Sequence, residues 1–228
     1  MKILGIIKAS FIDYPKKAST VLFIGGCNFR CPYCHNPELV FEQGEELEQG
    51  HVLDFLQKRK KFIDGVVISG GEPTIHDELV PLIEEIKKLG YAIKLDTNGT
   101  NPKFLRKLID DRLIDYIAMD IKGPLSEYKS ITNSEVEIKN IEESINLIRN
   151  SNIDYEFRTT ICKELLSQDQ IIEIGKLING AKRFCLQAYN LKEKILDENR
   201  KFTCYTNEEM NEFKVLLEPY IDQVILRV

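Results

Sequence analysis

Cys27, Cys31 and Cys34 stand close together in the run Cys27-Asn28-Phe29-Arg30-Cys31-Pro32-Tyr33-Cys34. The thiolate is the metal-binding form of cysteine, and several thiols on one short stretch point to a metal site. Their spacing would also set all three on one helix face, as in a core stripe. Pro32 argues against that helix, because its ring removes a backbone donor and pushes Cys31 out of the α region. Gly25 and Gly26 loosen the chain just before. The apolar run 20–25 reads as a buried strand, so the thiols are expected on a loop at a strand end.

Three sulfurs are one fewer than a closed structural zinc or iron site requires. On a four-iron, four-sulfur cubane, three cysteines hold three irons and leave the fourth open to a substrate or cofactor. A zinc reading needs His35 as fourth ligand, directly beside Cys34, where adjacent residues seldom converge on one tetrahedral ion. A disulfide fits less well still, since three is odd and nothing suggests export.

The Cys-x-x-x-Cys-x-x-Cys spacing, with Tyr33 before the last cysteine, resembles the signature loop of the radical S-adenosylmethionine (radical SAM) superfamily. More narrowly, Asp13-Tyr14-Pro15 followed by Gly26-Cys27-Asn28-Phe29-Arg30-Cys31-Pro32-Tyr33-Cys34-His35-Asn36-Pro37 resembles the activating proteins of anaerobic ribonucleotide reductase and related glycyl-radical enzymes. The likeness runs to about residue 190. It implies a 4Fe-4S cluster on Cys27, Cys31 and Cys34, with S-adenosylmethionine on the open iron. It also implies an external one-electron donor such as flavodoxin or ferredoxin. The cofactor's sulfonium would be reductively cleaved, methionine would leave, and a 5′-deoxyadenosyl radical would take a hydrogen atom from a backbone glycine of the partner enzyme. Two rivals stand beside this reading. One is a radical SAM enzyme acting on a small molecule or ribosomal peptide; the other is a non-catalytic iron-sulfur electron carrier or zinc module.

The elements that must position the loop alternate strand and helix, which points to a parallel sheet or barrel. Strands are expected at 20–25, 66–69, 92–97, 116–121, 155–161 and 183–188. Helices are expected at 52–60, 78–89, 103–110, 138–150, 168–178 and 207–217. In the clearest helix, Leu79, Leu82, Ile83, Ile86 and Leu89 form one stripe, Glu84 and Lys88 an i,i+4 pair, and Gly90 the stop. Short strands at 2–8 and 223–228 extend or cap the sheet edges, and pattern alone does not place them. Six βα units fit the incomplete (β/α)6 barrel of parallel strands that the resemblance implies, since a full barrel takes about 250 residues.

Reactive groups of parallel α/β folds collect at the carboxyl ends of the strands. The polar motifs of this chain fall there, with Ser69-Gly70-Gly71-Glu72-Pro73-Thr74 after the second expected strand and Asp96-Thr97-Asn98-Gly99 ending the third. Asp120-Ile121-Lys122-Gly123-Pro124, Arg158-Thr159-Thr160 and Gln187-Ala188-Tyr189-Asn190 follow in the same way. Gly70, Gly71 and Glu72 form a turn whose glycines let main chain approach a ligand. By resemblance that turn receives the methionine ammonium of S-adenosylmethionine; alone it reads as a tight strand-to-helix turn.

Asp96 and Asn98 are expected to face the cleft, where the resemblance implies a place under the cofactor's ribose and methionine, with an Asx turn as the plain alternative. Arg158 suits a carboxylate or ribose oxygen, or else a structural pair with Glu156 or another acid. Lys122 carries the same two readings. The resemblance also implies, as in some related activating enzymes, a monovalent cation at Asp120 with Asp96 and Thr97, beside the cofactor carboxylate. By resemblance Tyr33 is expected near the adenine, and otherwise as plain packing of the loop. Gln187 and Asn190 are candidate adenine contacts, with an ordinary turn as the alternative. His35 either tunes the cluster through sulfur or caps the next turn. Cys162 and Cys185 read as small core hydrophobes, and Cys204 as an exposed thiol without a role. No catalytic side chain beyond cluster and cofactor is expected.

With 228 residues the chain suits one α/β domain, residues 1–228. A net charge of −5 argues against a nonspecific nucleic-acid binder. The run Lys58-Arg59-Lys60-Lys61 reads as a solvated helix end. No stretch approaches a membrane span, and the amino terminus lacks the apolar region and cleavage site of a signal peptide. Six cysteines without disulfide patterning agree with a reducing, cytoplasmic compartment.

Overall fold

The structure is a computed structural model that describes residues 1–190 and 194–227. Its spine is one sheet of eight strands in the order of the chain: β1 (Ile3–Ser10), β2 (Ser19–Ile24), β3 (Gly65–Gly70), β4 (Ala92–Thr97), β5 (Tyr116–Asp120), β6 (Asp154–Ile161), β7 (Phe184–Ala188) and β8 (Val224–Arg227). β1 pairs antiparallel with β2, and every later neighbour pair is parallel. The helices are α1 (Pro37–Val40), α2 (Gln49–Arg59), α3 (Leu79–Lys88), α4 (Pro102–Asp110), α5 (Tyr128–Thr132), α6 (Ile138–Arg149), α7 (Gln168–Leu177) and α8 (Asn207–Leu217).

Each parallel step from β2 to β8 is bridged by at least one helix, which gives the six βα units of an incomplete barrel. β1 and β8 are its unjoined edges, and these are the two short strands that pattern alone left unplaced. The short helices α1 and α5 were not anticipated, because neither is long enough to show a period. α3 buries Leu79, Leu82, Ile83 and Ile86 as one stripe, but Lys88 pairs with Glu85 at 2.6 Å rather than with Glu84. α7 and α8 open on capping boxes, Ser167 with Gln170 and Thr206 with Glu209, which satisfy otherwise orphaned helix N–H groups.

Alternation along the strands sorts side chains into two layers. Val66, Ile68, Ile93, Leu95, Ile117 and Met119 join the helix faces in the main core. Val21, Val67, Tyr116 and Ala118 form a small second cluster with Tyr14. Tyr14 comes from the β1–β2 turn and lies 5.9 Å from Tyr116, closing the barrel at the amino ends of its strands. Gly65 makes room for it, since a Cβ there would stand 2.8 Å from the Tyr14 ring. Asp13-Tyr14-Pro15 therefore has a packing role at the end opposite the cysteine loop.

The basic run after α2 is a helix end as expected, yet Lys60 is not simply solvated. Its ammonium donates to Gly90 O at 2.5 Å and sits 4.3 Å over the Tyr91 ring. Among the described residues no helix is long and apolar enough to cross a membrane.

Candidate functional site

The cysteine loop leaves β2 and is tied down by its main chain. Gly25 N donates to Lys2 O at 2.9 Å and Gly26 N to Leu39 O at 2.7 Å. Arg30 N donates to Thr132 O and to Ser134 Oγ, both at 2.9 Å. The Arg30 guanidinium folds back onto Cys27 O at 2.5 Å and Phe29 O at 2.8 Å. Cys31 is buried and Cys27 and Cys34 are half-buried, and all three line one cleft at the carboxyl ends of the strands. Burial pushes the Cys27 thiol up to about 12 and the Cys31 thiol upward as well, so thiolates here need a cationic centre beside them.

Among the described residues the thiols do not gather as a single-ion site. His35 instead stacks on Tyr189 at 4.7 Å, and its Nε2 meets Asn190 O at 2.7 Å. Three soft sulfur donors on separate parts of one loop fit an iron-sulfur cluster, whose metals occupy separate corners.

The Gly70-Gly71 turn is packed against that loop. A Cβ on Gly71 would stand 1.9 Å from Gly26 O, and one on Gly70, where φ is +123°, would stand 2.2 Å from Ile24 O. Close approach of main chain to main chain therefore requires both glycines before any ligand arrives. Both residues still line the cleft.

Glu72 does not line the cleft; its side chain is fully buried. Its Oε1 accepts from Thr74 N (3.1 Å), Thr74 Oγ1 (2.5 Å) and Thr97 Oγ1 (2.8 Å), and its Oε2 accepts from Asn98 N (2.5 Å). Burial pushes the Glu72 carboxyl above its ordinary pKa, and these donors offset only part of that shift. Glu72 thus braces the end of β4 against the turn after β3. Asn98 continues the brace, donating through Nδ2 to Asn28 Oδ1 at 2.8 Å while its own Oδ1 accepts from Thr100 N and Oγ1. The Asx turn is real, and Asn98 lines the cleft as well.

The floor of the cleft is a charge network. Asp96 pairs with Lys94 on one oxygen; its other oxygen meets Ser69 Oγ at 3.0 Å and Arg158 Nη1 at 3.2 Å. Asp120 accepts from Arg158 Nε at 2.8 Å and from Lys122 Nζ at 3.2 Å. Burial alone would raise both carboxyls. Arg158 and Lys122 nevertheless hold Asp120 down to about 2, and Arg158 and Lys94 hold Asp96 below its ordinary value. Arg158 pairs with these two acids and not with Glu156, which takes Arg227 at 2.9 Å. Lys94, Arg158 and Lys122 already engage both carboxylates that were read as a monovalent cation site.

Tyr33 is buried and lines the cleft, edge-on to Phe202 at 6.3 Å. Asn190 is exposed and touches His35 through its carbonyl. Gln187 is half-buried on β7 and is not part of the cleft lining. Cys162 and Cys185 are fully buried, as expected. Cys204 is not an exposed thiol: it is half-buried, and its Sγ donates to Tyr189 O at 2.8 Å. Lys94 and Asn28 were not singled out from sequence. A lysine alternating with apolar residues ahead of Asp96 was the available signal for Lys94; for Asn28 the chain offered none.

A larger hollow, about 1000 Å³, lies at the opposite end of the strands beside the last turns of α4 and α6, lined by Arg106, Arg112, Asp115, Asn150 and Asp154. It holds none of the strand-end motifs. The smaller cleft, about 200 Å³, gathers Cys27, Cys31, Cys34, Gly70, Gly71, Asp96, Asn98, Asp120, Lys122 and Arg158, and the chemistry is assigned there.

Comparisons with known proteins bear on the family of the chain. Residues 21–178 match the Radical SAM superfamily. A Methanocaldococcus jannaschii protein named as a candidate glycyl-radical enzyme activating enzyme is 36% identical over 231 residues, covering 98% of this chain and 94% of its own. The pyruvate formate-lyase-activating enzyme of Listeria monocytogenes is 35% identical over 133 residues, 52% of this chain and 53% of that one. Among solved structures, Streptococcus suis SuiB bound to S-adenosylmethionine superposes with a TM-score of 0.70 at 15% identity. The match covers 91% of this chain and 52% of SuiB, so the chain spans about half of that structure and the likeness speaks to fold alone. The three-cysteine loop, the sheet that carries it and these relatives converge, and the chain belongs to the radical SAM superfamily, within its activating-enzyme branch.

Proposed function

We propose that this protein installs a glycyl radical on a partner enzyme, and that the partner is an anaerobic ribonucleotide reductase. The observation that carries the reading is the gathering of three cysteines, the Gly70-Gly71 turn and the Asp96-Asp120-Arg158-Lys122 network in one cleft. Cys27, Cys31 and Cys34 would hold a 4Fe-4S cluster. When bound, that cluster supplies the single electron that cleaves the sulfonium of S-adenosylmethionine into methionine and a 5′-deoxyadenosyl radical, which takes the glycine hydrogen.

The chain's own part is binding, orientation and exclusion of water. Three cationic side chains, Lys94, Arg158 and Lys122, face two carboxylates, Asp96 and Asp120, which leaves one positive charge at the cleft floor. That surplus suits the carboxylate of a methionine moiety, and carbonyls of the Gly70-Gly71-Glu72 turn suit its ammonium. Asp96 and Asn98 are assigned to the cofactor's polar groups, and Tyr33 and Asn190 to its adenine side. A monovalent cation at Asp96 and Asp120 is left out, because both carboxylates are already paired. An electron donor of the flavodoxin or ferredoxin kind and a reducing cytoplasm complete the proposal.

The test is anaerobic incubation of the reduced, cluster-loaded protein with S-adenosylmethionine and the candidate reductase. A glycyl radical signal on the reductase is expected. Cofactor cleavage without that signal, with every glycyl-radical enzyme of the source offered in turn, would overturn the activating role.

A further inference from the structure

The stretch between β7 and α8 returns across the cysteine loop. Leu196 N donates to Cys34 O at 2.9 Å and Asp197 N to Pro32 O at 3.0 Å. Ile195 and Phe202 are buried. The Phe202 ring stands 6.3 Å from Tyr33, edge-on, and 5.3 Å from Tyr189, whose ring stacks on His35. The far end is fastened to the loop after β6. Thr203 donates to Glu164 through N at 2.7 Å and Oγ1 at 2.6 Å, and Lys163 N donates to Thr203 O at 3.0 Å.

The two ends of the cysteine loop are therefore braced by different parts of the chain. Arg30 ties the Cys27 side to Thr132 at the end of α5 and to Ser134 just beyond it. Among the described residues, the long-range main-chain bonds to 31–36 come from Leu196 and Asp197. A site with three thiolates has no spare ligand, so the position of Cys34 decides whether the third iron is held.

We propose that residues 195–204 are a clasp and that Phe202 is a positioning residue, holding Tyr33 and Cys34 where the third thiolate meets the cluster. The inference rests on the iron-sulfur reading of the cysteine loop. Phe202 touches no reacting atom; it acts through Tyr33 on one side of Cys34 and through Tyr189 and His35 on the other. Truncating it removes the apolar wedge under the clasp, so that the Leu196 and Asp197 main-chain bonds and the His35 contacts with Tyr189 and Asn190 hold the loop's second half without it.

The experiment compares wild type, Phe202→Ala, Phe202→Leu, Glu164→Ala and Phe213→Ala after anaerobic reconstitution with ferrous iron and sulfide. Glu164 is exposed, so its loss loosens the clasp without opening the core. Phe213 is buried against Tyr205 at 4.8 Å, away from the loop, and controls for loss of an aromatic from the same end of the chain. Iron release to a chelator is timed, and the cluster's resonance spectrum and the melting of the metal-free proteins are recorded.

The clasp predicts release about tenfold faster in Phe202→Ala, as for lost outer supports of metal ligands. Phe202→Leu should recover most of the retention, Glu164→Ala should fall between, and Phe213→Ala should melt lower yet hold iron as wild type does. Wild-type iron retention in both Phe202→Ala and Glu164→Ala overturns the proposal, as does equal loss in Phe213→Ala. A wild-type protein that takes up no iron would instead overturn the cluster reading, and the clasp with it.

Discussion

Glu72 and Asn98 are joined through a buried bond: Asn98 N donates to Glu72 Oε2 at 2.5 Å, tying the end of β4 to the turn after β3. The other carboxylate oxygen takes Thr74 and Thr97, so one acid satisfies donors from two strand ends. Glu72→Gln would keep the shape but turn an amide N–H₂ toward a donor. A buried unsatisfied group costs about 1–3 kcal/mol. At about 2–4 °C per kcal/mol for a chain of this size, the metal-free protein should melt several degrees lower. Calorimetry checks this, and unchanged melting would show that the brace is not needed.

Gly71 gives a sharper test, because the two accounts of its glycine differ in the absence of ligand. If the residue only clears space for the methionine ammonium, Gly71→Ala should leave the metal-free protein as stable as wild type. With Gly26 O in the way at 1.9 Å, the β3 turn and the cysteine loop must move apart. Overpacking of this kind costs about 1–3 kcal/mol. Lower denaturant midpoints before any iron or cofactor is added are therefore expected.

The charge network sets a pH response. Asp120 titrates at about 2 in the folded chain, against an ordinary 3.8, because Arg158 and Lys122 outweigh its burial. A carboxyl depressed by folding stabilises the fold fully above its unfolded value and loses that contribution as pH falls through the folded one. Asp96 shifts in the same direction. The melting temperature of the metal-free protein should fall between about pH 4 and pH 2. Asp120→Asn should melt lower at neutral pH and vary less across that window. An equal slope in both proteins would remove Asp120 from the account.

Cysteine function divides cleanly. Cys27→Ala, Cys31→Ala or Cys34→Ala should each abolish stable iron binding, because no ligand remains to replace a lost thiolate. The double variant Cys162→Ala, Cys185→Ala should keep its iron, since both thiols are fully buried in the core away from the cleft. Iron and sulfide analysis decides it.

Legibility followed range along the chain. The strands were plain because alternate residues of β2 to β7 serve two apolar layers, and the cysteine loop was plain because Pro32 and the glycines exclude a helix. Arg158 was read as a cleft residue or a structural partner of Glu156 or another acid; the acids are Asp120 on the neighbouring strand and Asp96 one strand further, a register that no local pattern reveals. Glu72 was read with its turn as a ligand contact, and the buried brace made by its side chain was not foreseen, since Thr97 and Asn98, two of its donors, belong to another strand end. The clasp was invisible for the same reason: Leu196 and Asp197 act through main-chain N–H groups, which carry no residue signature.

Hydrogen transfer from a partner's glycine requires that glycine to come near van der Waals contact with the cofactor's 5′ carbon. The direct measurement places deuterium on the target glycine of the anaerobic ribonucleotide reductase, supplies reduced protein and S-adenosylmethionine, and analyses the 5′-deoxyadenosine by mass. Deuterium is expected in that product only when the labelled partner is present. Label arriving from a small metabolite, with no partner protein in the tube, would contradict the activating role.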